Sequence, residues 1–245
     1  ACPAVCGTNQ YSTAGSSSCS SCPTDYKNSG TTAASHAGSA SCIITVSGGH
    51  YIGSGGQNSG NWGTCAGGTY KAAHTVAYGS TSSCATCSAG YYCPAGASGQ
   101  TACGSNAKYS SSGASSCSTV STGYYTTGGT TTTRTGQSQC TSGTYGTGGE
   151  QKTCPSGYGA SAAGSNEAAD CYMSVAAAKY VKTANDSSAT ACGTGTYKAA
   201  HTVYYGGTST CNSCPSGYDD GAAASAESGC KISVTGGKYV GTANS

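Results

Sequence analysis

The sequence contains no Phe and no Leu, and only one Trp and one Met. An ordinary layered core takes most of its large apolar area from such residues, so this chain cannot build one. Charge is scarce as well. Only 7% of residues are charged, the net charge is +2, and the few basic side chains are scattered. Without a basic stripe to follow a phosphate backbone, nucleic acid is not an expected partner. No apolar run approaches the roughly 20 residues of a membrane-spanning helix. Helical periodicity is missing too, and the best local helix former, Ala176-Ala177-Ala178, is too short to nucleate a helix. The chain opens Ala-Cys-Pro-Ala-Val-Cys with no leader pattern, as a mature or excised fragment would.

What fills the space is 40 Gly, 19 Tyr and 18 Cys, with Ser and Thr making up about three residues in ten. Glycine raises the entropy lost on folding, so something other than apolar burial must offset it. Eighteen is an even number of cysteines, enough for nine bridges in an oxidising compartment. Closing loops of this size is worth on the order of 3 kcal/mol per bridge in the chain-entropy model. The composition points to a secreted or surface-exposed protein.

The chain repeats itself, and the template is Cys192–Ser245. A first arm, C-x4-Y, occurs at Cys6…Tyr11, Cys65…Tyr70, Cys140…Tyr145 and Cys192…Tyr197, and Cys103…Tyr109 carries one extra residue. A second arm is a Cys followed by P-x-[GD]-Y, ending at Tyr26, Tyr158 and Tyr218, with Cys87-Ser88-Ala89-Gly90-Tyr91 as a variant. The third arm, C-x-[IM]-[ST]-V-x-[GA]-[GA]-[HK]-Y-[IV], spans Cys42–Ile52, Cys171–Val181 and Cys230–Val240. The stretch Gly68–Val76 recurs letter for letter as Gly195–Val203. Five repeats follow: residues 1–64; a short repeat at 65–102; a short repeat at 103–139 with a Thr-rich loop; 140–191; and 192–245. Tyr239–Ser245 resembles Tyr180–Asp186, where the interior copy leads on to a new unit. A window from a longer repetitive protein, or a protomer continuing across a head-to-tail contact, would show this.

Local structure is expected to be strand and turn. Pro and Gly in the P-S-G-Y segments set a turn. The third arm alternates β-branched and polar residues around a Gly-Gly pair, which predicts a short hairpin or two irregular strands. The fold class is therefore small and disulfide-rich, mostly irregular with short β-hairpins, drawn out as an elongated tandem-repeat rod.

The repeat suggests a pairing rule for the sulfurs. The Cys of the first arm closes onto the first Cys of C-x2-C, giving Cys6–Cys19, Cys65–Cys84 and Cys192–Cys211. The second Cys closes onto the third arm, giving Cys22–Cys42, Cys154–Cys171 and Cys214–Cys230. Cys103–Cys117 obeys the same logic, and Cys2, Cys87, Cys93 and Cys140 are left open. These arms, with Gly90-Tyr91-Tyr92-Cys93-Pro94-Ala95-Gly96, resemble the cysteine-rich repeats of extracellular proteins, such as ephrin-receptor-like and tumour-necrosis-factor-receptor-like modules and the arrays of large microbial surface proteins. The resemblance covers the whole chain and concerns architecture. It implies elongated, disulfide-laddered rods of small β modules.

No reaction can be read from the residues. The three C-x2-C pairs lack the second ligand pair of a zinc site and the helix start of a redox motif, so structural bridges are expected and no metal or cofactor. His74 and His201 share a K-A-A-H-T-V context with no partner evident at a repeating distance. Asp219, Asp220 and Glu227 read as a solvated loop. The tyrosines of the first arm are expected to lie over the disulfides as a miniature core, whereas the pairs Tyr91-Tyr92, Tyr124-Tyr125 and Tyr204-Tyr205 suit sugars or neighbouring subunits as well. The run Thr126–Thr135 is low in complexity and expected not to pack. Its Thr130, Thr131, Thr132 and Thr133 are candidate acceptors of O-linked sugar, and Asn185 heads the only N-linked acceptor triplet. The expected protein is a non-enzymatic, glycosylated, extracellular component of a surface filament, stalk or coat that associates with itself head to tail or through neighbouring repeats. The other reading is a ligand-binding adhesin or receptor ectodomain.

Overall fold

The computed structural model describes residues 6–28, 30, 36–219, 223–236 and 238. Cys2, Asp220, Tyr239 and Val240 lie outside them. The chain divides into two compact units, residues 1–119 with 126–136 and residues 120–125 with 137–245. Both are disulfide-rich and built from very short strands in eleven two-stranded sheets, with 3-10 turns as the only helix among the described residues.

One local motif generates most of these sheets. A two- to four-residue strand carries a Tyr at its second position, and a partner strand is followed by a Cys. Examples are Gln10–Tyr11 with Ser20–Ser21, His50–Tyr51 with Gly63–Thr64, Thr69–Tyr70 with Ala85–Thr86, and Tyr91–Tyr92 with Thr101–Ala102. Thr144–Thr147 with Glu150–Thr153, Lys179–Tyr180 with Thr190–Ala191, and Thr196–Tyr197 with Asn212–Ser213 repeat it, and Lys108–Tyr109 with Ser118–Thr119 does so with Val120 in place of the Cys. Two residues before the Tyr the backbone turns left-handed, at Gly49 and Gly68 as at Asn9 and Ala178. That residue's carbonyl accepts the N–H of the Cys that ends the hairpin, as in Cys65 to Gly49 at 2.8 Å and Cys192 to Ala178 at 2.9 Å. The hairpin is thus closed by backbone bonds as well as by sulfur.

Hairpins also stack. Tyr70 forms a parallel bridge to Ala97 and Tyr109 to Arg134, each in the loop of the following hairpin. At several turns, Gly49 and Gly68 among them, the approach is so close that only glycine fits. A Cβ on Gly49 would lie 2.0 Å from the Gly96 carbonyl oxygen, and one on Gly68 would lie 2.1 Å from that of Gly113. Here positive φ and backbone contact both exclude a side chain.

The third arm is not a hairpin. Its two strands are separate, and each pairs elsewhere: Ile43–Val46 with His74–Ala77, and His50–Tyr51 with Gly63–Thr64. The Gly-Gly pair between them is spent on the left-handed turn, which redirects the chain. Tyr172–Val175 pairs with His201–Tyr204 in the same register, Met173 opposite Val203 as Ile44 is opposite Val76. Each pairing buries one small core. In the first unit Tyr26, Cys42, Ile44, Val46, Ile52 and Val76 pack together. In the second, Tyr158, Cys171, Met173, Val175, Val181 and Val203 do so. The wholly buried tyrosines are thus Tyr26 and Tyr158 of the second arm, and the first-arm Tyr11 and Tyr145 pack only partly against these clusters. The Thr-rich run packs as well. Gly104 donates to the Thr132 carbonyl at 2.9 Å, and Arg134 Nε donates to Asn106 Oδ1 at 2.7 Å. Backbone contacts suffice to order it where side-chain size does not.

Candidate interaction edge and modification sites

Sulfur braces the hairpins in two ways. In the first, the Cys five residues before the Tyr reaches the Cys three residues before the hairpin's end, as in Cys6–Cys19, Cys65–Cys84 and Cys192–Cys211, with Cys103–Cys117 alike. In the second, the Cys that ends a hairpin reaches the next arm, as in Cys22–Cys42, Cys154–Cys171 and Cys214–Cys230. Cys87–Cys93 is an eighth bridge, across a turn of six residues.

Glutamine takes over the first brace where sulfur is lacking. Gln100 Oε1 accepts the N–H of Ser88 at 3.0 Å, and Gln137 Oε1 accepts that of Ser121 at 2.7 Å. Gln151 Nε2 donates to Thr144 Oγ1 at 2.9 Å. All three stand three residues before the Cys that closes their hairpin. Reading Cys alone misses them; the alignment of hairpin ends exposes them.

Cys140 is a free, buried thiol. Both partners its position might have are absent. Gln151 occupies the place of Cys84, and Gly146 occupies the place of Cys93. A Cβ on Gly146 would lie 2.6 Å from the Cys140 sulfur. Burial pushes the thiol's pKa up, which keeps it protonated and slows its attack on neighbouring disulfides.

The two histidines do have partners at a repeating distance, eight residues on. His74 Nε2 lies 2.9 Å from Ser82 Oγ, and His201 Nε2 lies 2.9 Å from Ser209 Oγ. Each Nδ1 lies 3.0 Å from a carbonyl two residues back, Ala72 or Ala199. The serine oxygens in turn accept the N–H of Ile52 and of Val181, each at 3.0 Å. An Nδ1–H tautomer satisfies every group: it donates to the carbonyl and accepts the serine O–H at Nε2. Each His–Ser pair is a strut that ties a covering strand to the arm beneath it.

Two buried tyrosines occupy equivalent places with unequal fates. Tyr26 donates its hydroxyl to the Gln57 carbonyl at 3.1 Å, whereas the Tyr158 hydroxyl has no partner among the described residues. Desolvation raises both pKa values, with smaller contributions from Tyr78 for Tyr26 and from Asp186 and Tyr205 for Tyr158.

Among the candidate modification sites, Asn185 is exposed and left-handed in a turn where Thr183 N–H donates to Asp186 Oδ2 at 2.9 Å. Thr130, Thr131 and Thr132 are exposed and Thr133 is half-buried. The Thr130 hydroxyl already bonds Thr133 Oγ1 at 2.8 Å.

The third copy of the third arm differs from the other two. Lys231 pairs with Asp219 through the backbone, as Ile43 does with Lys27 and Tyr172 with Ala160. Beyond that point no strand covers it among the described residues. Ile232 and Val234 are 37% and 43% exposed, whereas their counterparts Ile44 and Val46 are 6% and 0% exposed. The apolar positions that are buried twice elsewhere in the chain are thus open here among the described residues. Eight disulfides fit a protein of an oxidising, extracellular setting, and no helix among the described residues is long and apolar enough to cross a membrane. Compared with known protein families and with curated proteins, the chain matches none.

Proposed function

We propose that this is a structural extracellular repeat protein, a glycosylated part of a surface filament, stalk or coat, akin in design to ephrin-receptor-like and tumour-necrosis-factor-receptor-like repeats. It acts by length and durability and carries out no reaction. The observation that carries this reading is the open arm at Ile232–Val234. Two earlier copies of the arm are each covered by a His-Thr-Val strand of a following repeat, in one register. The third copy has the same alternation of apolar and polar residues, so it accepts the same kind of strand, and repeats add end to end. Asn185 and Thr130–Thr132, all exposed, are the sites we assign to glycan.

The test is assembly. The full chain, produced in an oxidising host, is imaged by negative stain and sized by sedimentation over a range of concentrations. Linear polymers that shorten with an Ile232→Asp, Val234→Asp variant are expected. A particle that stays monomeric at every concentration would overturn the reading.

A further inference from the structure

The first unit carries a groove that the rest of the fold does not explain. It has a volume of 770 Å³ and is lined by residues that include Asn9, Asp25, Lys27, Ile43, Thr45 and Trp62. Trp62 is the only tryptophan in the chain and is 44% exposed. Its ring is held edge-on against His50, centroids 5.6 Å apart. The walls are fixed by backbone bonds, Lys27 N–H to the Ile43 carbonyl at 2.7 Å and Asn9 N–H to that of Asn28 at 2.8 Å. Yet the indole N–H, the Asp25 carboxylate and the Lys27 ammonium make no hydrogen bond or ion pair among the described residues.

The duplicated unit supplies an internal control. Gly157 stands where Asp25 does, Gly159 where Lys27 does and Ala189 where Trp62 does, by position relative to Cys154 and Cys192. That copy forms the same paired strands and an equivalent buried cluster. Its corresponding hollow is 340 Å³ and is lined by Lys179 but by no Trp or Asp. The indole and the two charges are therefore dispensable for folding, and leaving a large aromatic open to water is unfavourable. They are additions to one copy.

We propose that this groove binds a saccharide, with Trp62 as its platform. The C–H face of a pyranose ring lies flat on the electron-rich face of an indole. Its hydroxyls are both donors and acceptors, which suits a carboxylate, an ammonium and the indole N–H set around a shallow rigid hollow. The inference does not rest on self-association, and it fails or stands apart from it.

The lone Trp62 makes the test direct. Its emission is followed in the full chain while cellotriose, maltotriose, lactose and the N-acetylglucosamine trimer are titrated in turn. A saturable shift with at least one sugar is expected. The double variant Asp25→Gly, Lys27→Gly copies the second unit and keeps the reporter. It is expected to weaken binding about tenfold or more, the scale of a lost hydrogen bond to a charged group. Calorimetry with Trp62→Ala, again the second unit's residue, should show binding abolished, and the melting temperature of both variants checks that they fold. No response to any of the four sugars, a response to unrelated peptides alone, or binding unchanged in the folded double variant would each overturn the assignment.

Discussion

At the scale of single residues, the chain's duplication provides matched pairs in which one change can be weighed. Tyr26 and Tyr158 are the clearest. Both are buried, but only Tyr26 has an acceptor for its hydroxyl. A buried hydroxyl without a partner costs about 1–3 kcal/mol, while a satisfied one contributes about 1 kcal/mol. Tyr158→Phe is therefore expected to stabilise the protein by about 1 kcal/mol and Tyr26→Phe to destabilise it by a similar amount, read from denaturant midpoints. Both tyrosines have folded pKa values raised above the unfolded one. Their contribution is complete below the unfolded value of about 10 and is lost as pH climbs through the folded values. Tyr158→Phe should blunt the fall in melting temperature above pH about 10. A second pair concerns sulfur. Cys140 is unbridged because Gly146 stands where Cys93 stands two repeats earlier. Gly146→Cys is expected to form a ninth bridge, lowering the count of titratable thiols by one relative to the parent. One extra thiol per chain relative to the parent, in place of one fewer, would show that the site cannot close.

At the scale of the element, the hairpin is the unit, and its tight spot is the turn. Gly68 combines a φ of 88° with a backbone carbonyl 2.1 Å from where its Cβ would be. Ala178 holds the same place in a later hairpin at φ 61°, where the chain leaves room for a methyl group. Gly68→Ala is expected to cost about 3 kcal/mol, left-handed strain plus a clash the neighbouring backbone cannot relieve. Ala178→Gly is expected to stay within about 1 kcal/mol, because relief of strain offsets added freedom in the unfolded chain. Thermal melts of the two variants side by side would check the contrast, and equal losses would mean that the stacked turns do not govern stability. The Gln braces belong to this scale too. Gln100, Gln137 and Gln151 stand at the brace position of Cys84 and Cys211, so the hairpin tolerates an amide or a disulfide there.

At the scale of the whole molecule, sulfur carries what two small clusters cannot. Each cluster holds six or seven buried residues, one of them a cysteine in the first unit and two in the second. Bridges closing loops of 6 to 20 residues stabilise mainly by restricting the unfolded chain, by roughly 2–4 kcal/mol apiece. Reduction under native conditions is expected to unfold both units together. Limited proteolysis should leave the oxidised chain intact and digest the reduced one throughout. A reduced chain that still resisted protease would place the stability in hydrogen bonding instead.

Much of this was legible in the letters. The spacing of C-x4-Y and C-x2-C names seven sulfur pairs, and the structure holds those seven and adds Cys87–Cys93. Composition excludes a large apolar core and helices, because no arrangement of Gly, Ser and Thr buries enough area. Three features lay beyond it. The first strand of the third arm pairs with a partner about 30 residues away, and a two-residue period cannot say which edge meets which. Ser82 and Ser209 became partners of His74 and His201 only when those distant strands closed. The joining of Asp25, Lys27 and Trp62 in one groove needed chain segments 37 residues apart to meet. Local letters fix turns and cross-links because those depend on neighbours; grooves and open edges depend on which surfaces the folded chain leaves uncovered.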